Sequence, residues 1–586
     1  MTSHDQIYPY LLHDGRKFPL LKKPAQSLFI TLLFIFILFF LILPVMLSIG
    51  SGFFSEGKLS LYWFGRVITN STLMKELGNG LLLAMTTTAL SLLLAVPLAM
   101  IRARYLFRGL GLLSIFVLVP LILPPFVGAI SMKRLLGQFG VLNLFLENIG
   151  LIDISKNLPP DWLGSGFIGV VILQSLHLFP ILYLNATAAL SNLDPAYTQA
   201  ARNLGASSLS AFFRVTLPLI RPGLFAGGTI VFIWSFTDIG TPSIIGYEHL
   251  TPVTIFQELA NSEINPRTFS LVFIMLSGSV TLYILGKFLF GHGEVGDSSK
   301  ATLPTETRSL GPLATCFAWL LFGGIIFLAV LPHIGVTFLA LSDHWVNTAL
   351  PGSYTMKHLI FVIMNPDSLG SILNSVRYAG LSTGIDMILG SIAAWFIIRS
   401  RIYGRTLLDG LCMLPLAVPG LILAAGYVAM TAPGTLLESI GPTRNPFIIL
   451  VIAYSVRRLP FVVRGVSAGL QQVPISMEEA ARNLGASRPM TGLRITLPLI
   501  AANIIAAGVL TFAFAILEVS DSLILAQTPE YYPVTKQIFH LATSTGSPDA
   551  TNEAAAMGLY GMALLGGTMG LASILLGKRL GTIFRA

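Results

Sequence analysis

The sequence predicts an all-α integral membrane protein, with about twelve transmembrane helices in two parallel six-helix repeats. Three observations predict it: apolar runs of membrane-crossing length, basic clusters between those runs, and a long repeat in matching positions of the two halves. The chain has 586 residues, 54% hydrophobic and 11% charged, with a mean hydropathy of +0.77. A soluble domain is about 25% charged. The net charge of +9 would suit nucleic acid in a soluble protein. Here the basic residues punctuate apolar runs and read as topology signals, so nucleic acid is excluded and the lipid bilayer is the expected surrounding. Cys316 and Cys412 both lie in apolar segments and read as buried, inert thiols.

Twelve spans are expected in order along the chain. The first six lie near 28–49, 78–101, 110–131, 167–190, 222–240 and 269–290. The second six lie near 313–341, 372–398, 407–430, 446–468, 499–518 and 556–577. Each is of the order of the roughly 20 residues that cross a hydrocarbon core of about 30 Å. The first apolar stretch is longer than a signal peptide's and has no small-residue cleavage site after it, so it is read as the first membrane helix.

An even number of spans puts both ends on one side, and charge chooses the side. Arg16, Lys17, Lys22 and Lys23 precede the first span, and Arg102, Arg104 and Arg108 follow the second. Arg202, Arg214 and Arg221 then fall on the same side, as do Arg399, Arg401 and Arg405, and finally Lys578, Arg579 and Arg585. Arg457, Arg458, Arg464, Arg482, Arg488 and Arg494 are assigned to the flanks and body of the last long inner loop. This positive-inside bias predicts two cytoplasmic termini. The chain divides into a cytoplasmic tail (1–27), a first repeat (28–290), a polar linker (291–312) and a second repeat (313–586).

The repeat itself is specific. Gln199-Ala-Ala-Arg-Asn-Leu-Gly-Ala-Ser207 recurs as Glu479-Ala-Ala-Arg-Asn-Leu-Gly-Ala-Ser487, and Arg214-Val-Thr-Leu-Pro-Leu-Ile220 recurs as Arg494-Ile-Thr-Leu-Pro-Leu-Ile500. A weaker match relates Asn79, Pro120 and Pro124 to Asn374, Pro415 and Pro419. With six spans per half, the second half enters in the same orientation as the first, giving parallel repeats about an axis along the membrane normal.

The repeated loop lies between the fourth and fifth spans on the inner side. Asp194 and Pro195 start a helix as cap and first residue. Gly205 ends it, and Ser207 or Ser208 caps a second short helix running to Leu217-Pro218. In the second copy Pro474 and Ser476 precede a helix over 477–484, which Gly485 ends. A helix–glycine–helix hook makes a compact knob suited to a groove on a soluble partner.

Glu479-Ala480-Ala481, then Gly485, then Leu497-Pro498 resembles the Glu-Ala-Ala loop of permeases in binding-protein-dependent ABC importers. The resemblance implies that Gln199, Ala200, Ala201 and Gly205, with Glu479, Ala480, Ala481 and Gly485, form coupling helices. Each would sit in a cleft of a cytoplasmic ATPase. Gln199 departs from the motif's glutamate, which puts an ion pair at that position in doubt but not the helix. The resemblance implies two copies of a cytoplasmic ABC ATPase and a periplasmic substrate-binding protein as partners. It implies an inner-membrane location and no cofactor in this chain, with ATP bound by the partner. The fused two-repeat form is most like the ferric-iron permeases, and similar architectures serve thiamine, aminoethylphosphonate and sugar phosphates. Gly52-Phe-Phe-Ser-Glu-Gly57-Lys58 mimics a phosphate loop, but Leu59 stands where a hydroxyl is needed and the stretch follows a membrane helix. No catalytic or metal-ligating residue is expected.

Charged residues inside spans mark a path or a partner. Asp238 and Glu518 end the fifth and eleventh spans in register and are candidates for the exit of a shared path; Asp386 and His177 complete the candidate list. A polar contact between helices suits His177, one turn from Gln174. Pro120, Pro124, Pro125, Pro415 and Pro419 are expected to kink matching spans. An ion-gradient-driven secondary transporter also fits twelve spans and inner termini, but does not need two matched hooks. A channel is disfavoured because no repeated filter is visible.

Overall fold

The computed structural model describes residues 24–290 and 308–576, apart from short gaps at 56, 155–157, 165, 261–264, 344, 346–347, 401–403 and 544–546. The N-terminal tail and most of the 291–312 linker lie outside the described residues. The rest is a bundle of helices with two minimal two-stranded ladders. Large apolar side chains such as Leu93, Ile388 and Leu320 face outward, at 69%, 64% and 74% exposure. On a soluble monomer that much exposed apolar surface would drive association; here it is the lipid-facing belt.

Each half is built on a three-helix core. In the first, Ser71–Arg104 packs on Phe167–Ser191 and Leu217–Phe236; in the second, Pro366–Arg399 packs on Phe447–Gln472 and Leu497–Ile516. The two long helices start identically. Asn70 Oδ1 accepts from the amides of Thr72 and Leu73 at 3.0 and 3.2 Å. Asn365 Oδ1 accepts from those of Asp367 and Ser368, both at 3.0 Å. These are side-chain caps on otherwise unpaired N-terminal amides.

Among the described residues eight helices are long and apolar enough to cross a membrane, and two bent pairs bring the total to as many as ten. The bent pairs correct the expected spans 110–131 and 407–430, which are not continuous. Leu110–Ile122 turns by 94° into Pro125–Asn148, and Arg405–Leu416 turns by 98° into Gly420–Met430. The cause is local. Pro120, Pro124 and Pro125, and then Pro419, withhold backbone amides, and the residue before a proline avoids helical geometry. The expected span 446–468 coincides with helix Phe447–Gln472 from its cap onward, and the expected span 556–577 lies in Ala550–Leu576 as far as the described residues reach.

A second correction concerns charge. Arg457 and Arg458 are not loop residues: they lie midway along Phe447–Gln472, with side chains 17% and 11% exposed, and are ion-paired. Their charge is neutralised inside the bundle, so they carry no topology information. A third correction concerns thiols: Cys412 is buried, but Cys316 is exposed.

In space the first helix of each half leaves its own core. The N-terminal helix runs Pro24–Ile37, passes through a π turn and continues as Leu43–Gly50. It lies against Gly420–Met430 of the second half. Tyr427 Oη donates to the Phe40 carbonyl at 2.6 Å. Gly426 lets the two backbones touch, since a Cβ there would lie 2.1 Å from the Pro44 oxygen. Reciprocally, Pro312–Leu341 packs on Pro125–Leu136 of the first half. There Ser131 Oγ donates to the Pro332 carbonyl at 2.8 Å. The chain halves are interlocked by exchanged helices.

Candidate functional site

The two hooks have the same geometry. The helix Pro195–Asn203 is capped by Asp194, which accepts from the Ala196 amide at 2.8 Å. It ends where Gly205 takes φ +87°. The Gly205 amide donates to the Arg202 carbonyl at 2.9 Å and the Ala206 amide to that of Ala201 at 3.0 Å. This doubly bonded ending requires a left-handed residue, which glycine adopts without cost. Gly485, at φ +92°, repeats it, with Ala486 donating to Ala481 at 3.0 Å. Ser207 caps the next short helix by accepting from the Ser210 amide at 3.2 Å. The second copy departs from expectation at its start. Its helix is Ile475–Asn483, Pro474 supplies no side-chain cap, and Ser476 lies within the helix.

Gln199, Ala200, Glu479 and Ala480 are exposed, and Ala201 and Ala481 half-buried, so the same face is presented twice. Beside each left-handed glycine stands a leucine that sequence reading passed over: Leu204 and Leu484 are both 90% exposed. Their signal was present in the repeat itself, as an apolar residue in a polar helix at the same place in both copies. The acid that pairs is also not the one expected. Glu479 is exposed, whereas Glu478 meets Arg399 at 3.0 Å, with both side chains largely buried.

Each hook leads through a π turn into the fifth membrane helix of its half, Leu217–Phe236 or Leu497–Ile516. Twenty residues at 1.5 Å each put about 30 Å between hook and far end. At that far end the chain breaks into short helices: Gly240–Ile245 and Thr251–Ala260 in the first half, Ser520–Leu525 and Val534–Thr543 in the second. There the halves meet. Phe539 lies edge-on to Phe126 and Phe256, with ring centroids 6.3 and 5.8 Å away. Lys536 Nζ lies 5.7 Å from the Phe256 ring centre, and Gln527 Nε2 donates to the Leu259 carbonyl at 3.3 Å.

The four residues offered as a transport path each bond within their own half and none hydrogen-bonds another, although the buried Asp386 Oδ2 has no partner among the described residues. Asp238 Oδ1 accepts from the amides of Gly240 and Thr241 at 3.0 and 3.4 Å, capping the short helix after the bend. Its Oδ2 accepts from Gln174 Nε2 at 2.9 Å. Glu518 is 3% exposed and receives Arg457 Nη1 at 2.6 Å, with Arg458 Nη2 on its other oxygen. Asp521 lies 3.4 Å from Arg457. Sequence reading missed this four-residue network, although two arginines inside an apolar run were its visible sign. Asp386 is fully buried and accepts from Ser455 Oγ at 2.6 Å. His177 Nδ1 meets the Pro120 carbonyl at 2.8 Å, tying the fourth helix to the broken span. His358, Asp549 and Glu553 bring ligand atoms within 4.8 Å of one another, but Lys357 Nζ already sits 2.6 Å from Asp549.

The chain that carries this pair of hooks matches the family model for the binding-protein-dependent transport system inner membrane component, at residues 95–292 and again at 386–585. The chain belongs to that family. Membership sets aside the secondary transporter and the channel. The protein is a transmembrane permease subunit with two copies of the family unit in one chain. It is similar to the ferric transport system permease protein FbpB of Actinobacillus pleuropneumoniae, at 26% identity over 83% of this chain and 70% of that one. The Fe(3+)-transport system permease protein FbpB 2 of Haemophilus influenzae is 25% identical over 77% of this chain and 80% of its own. The molybdenum transport system permease protein ModB of Mycobacterium bovis is 27% identical over 37% of this chain and 81% of its own.

Proposed function

We propose that the chain carries ferric iron across the inner membrane, accepting it from a periplasmic binding protein and driven by two copies of a cytoplasmic ABC ATPase that bind the ATP. Both termini and both hooks face the cytoplasm in this reading. The observation that carries it is the matched pair of hooks with Leu204 and Leu484 nine-tenths exposed. A leucine left in water at the same point of both copies gains about 1.5–3 kcal/mol when a partner covers it.

Mechanically, each fifth membrane helix is a rod about 30 Å long, with a hook at one end and gate helices at the other. ATP-driven closure of the two ATPases brings the hooks together and swings the rods. The Phe126–Phe539–Phe256 contact opens to the periplasm as the cytoplasmic side closes. The bends at Pro124-Pro125 and Pro419 act as the joints. The halves are joined at the far end from the hooks, which supports reading this conformation, in the proposed orientation, as the one closed to the periplasm. The iron assignment is supported by the two relatives that align with most of the chain and whose names specify ferric transport.

The test places cysteines at 204 and 484 and crosslinks them to the purified ATPase. It then measures uptake of radioactive ferric iron into vesicles holding permease, ATPase and binding protein. Specific crosslinks and ATP-dependent iron uptake are expected. Crosslinks without iron uptake would reject the cargo and keep the coupling. Uptake driven by an ion gradient without the ATPase would reject both.

A further inference from the structure

The two hooks are braced differently. In the second half Arg399, the last residue of helix Pro366–Arg399, pairs with Glu478 at 3.0 Å. Its Nη2 also donates to the Leu470 and Val473 carbonyls at 2.7 and 2.6 Å. The pair is nearly dry, with side chains 7% and 14% exposed. A carboxylate therefore ties the hook helix to the end of a membrane helix.

The repeat maps Arg399 onto Arg104, Glu478 onto Thr198, and the two carbonyl residues onto Leu190 and Leu193. The brace is missing from the first half because Thr198 carries no charge. Arg104 turns instead to Thr216, donating from Nη2 to Oγ1 at 3.0 Å. A cavity of about 470 Å³ lies where the brace would be, with Arg104, Leu193, Thr198, Arg202, Phe212 and Arg308 in its wall. Arg308 arrives from the linker side, held by a two-residue parallel ladder to Tyr105–Leu106. Among the described residues Arg202 donates only to Ser208 Oγ, at 2.5 Å. Among the described residues no carboxylate lines the cavity, and none of the three guanidiniums has an ion-pair partner. Leu209 and Phe213, 70% and 56% exposed, flank it with apolar surface.

We propose that this cavity binds the phosphate of an anionic phospholipid headgroup, which supplies to the first hook the negative charge that Glu478 supplies to the second. The chemistry fits on both counts. Arginine forks match phosphate oxygens in bidentate geometry, and basic pockets between membrane helices are headgroup sites. The apolar flank at the end of a membrane helix gives acyl chains a surface that a free anion would not use. Placement in the inner leaflet rests on the orientation proposed above, whereas binding itself does not.

The full-length protein, purified in mild detergent, is titrated with phosphatidylglycerol and with phosphatidylcholine of the same acyl chains, and retained lipid is counted by native mass spectrometry. The wild type is expected to prefer phosphatidylglycerol by about tenfold or more, given three arginines at the site. Thr198→Glu installs the second half's acid in the first and should reduce the preference to about onefold, with the melting temperature kept. Arg308→Gln, at an exposed position, should weaken retention without threatening the fold and serves if the glutamate variant does not fold. Equal preference in wild type and both variants would overturn the proposal. Displacement of the lipid by inorganic phosphate at matched concentration would assign the site to free phosphate and overturn the lipid. No lipid preference, with ATPase affinity lost in Arg308→Gln, would assign it to a partner's carboxylate and equally overturn it. Retention in detergent reads the cavity whichever face it occupies, so an inverted orientation would leave this result standing.

Discussion

Asp238 and Glu518 occupy the same place in the two repeats, yet neutralising them should have very different costs. Glu518 is 3% exposed and holds both Arg457 and Arg458, whose side chains are 17% and 11% exposed. In Glu518→Gln, Arg457 keeps only Asp521, at 3.4 Å, and Arg458 keeps only the Phe514 carbonyl, at 3.0 Å. Arg458 loses its direct ion-pair partner inside the bundle, a loss of about 3–5 kcal/mol. Asp238 accepts only from neutral donors: the Gln174 amide and two backbone amides. In Asp238→Asn the amide oxygen still caps the short helix and one hydrogen bond is lost, about 1–2 kcal/mol. Thermal and chemical unfolding of the purified protein in detergent should therefore show a markedly larger loss for Glu518→Gln. Adding Arg458→Met should recover part of it by removing the stranded charge. Equal destabilisation by the two substitutions would refute the assignment. So would equal loss of uptake with no change in unfolding, which is how two acids lining a common path would behave.

Gly485→Val should lower uptake by about tenfold while leaving membrane insertion intact and lowering unfolding stability by no more than the strain of the bend. A Cβ there meets nothing within 4 Å, so the whole cost is the roughly 1–2 kcal/mol of left-handed backbone, and Gly485→Asn should retain most activity; equal uptake in both variants would deny the bend a role. Arg399→Met and Glu478→Gln should each weaken coupling in a vesicle ATPase–uptake assay. The double variant should cost less than the sum of the two, since both break one pair, and additive losses would show that the brace does not act as a unit. Leu484→Asp should fold normally, its side chain being 90% exposed, yet bind the ATPase at least about tenfold more weakly; binding at wild-type strength would remove the leucine from the interface.

The hooks were legible because everything that shapes them is local. Asp194 caps an amide two residues on, Gly205 closes bonds within five residues, and the same letters appear again in the second half. The broken spans were half legible: the prolines announced a break, but not turns of 94° and 98°. Arg457 and Arg458 were misplaced because charge in an apolar run is scored by position, while the acid that neutralises them lies some sixty residues later. The same separation hid Ser455 as the partner of Asp386.

Hydropathy, charge order and repetition by themselves determined that this chain spans a membrane, that it does so as two like-oriented halves, and that each half carries a hook. These follow from a helix's own hydrogen bonds and from the cost of polar groups in lipid. Tertiary structure alone decided that the first helix of each half lies on the other, that Glu518 is a structural acid while Asp238 is a cap, and that only one hook is braced by its own carboxylate. An apolar helix carries no address for its neighbour, and a charge does not name its partner. Both are settled only when distant segments compete for the same buried space.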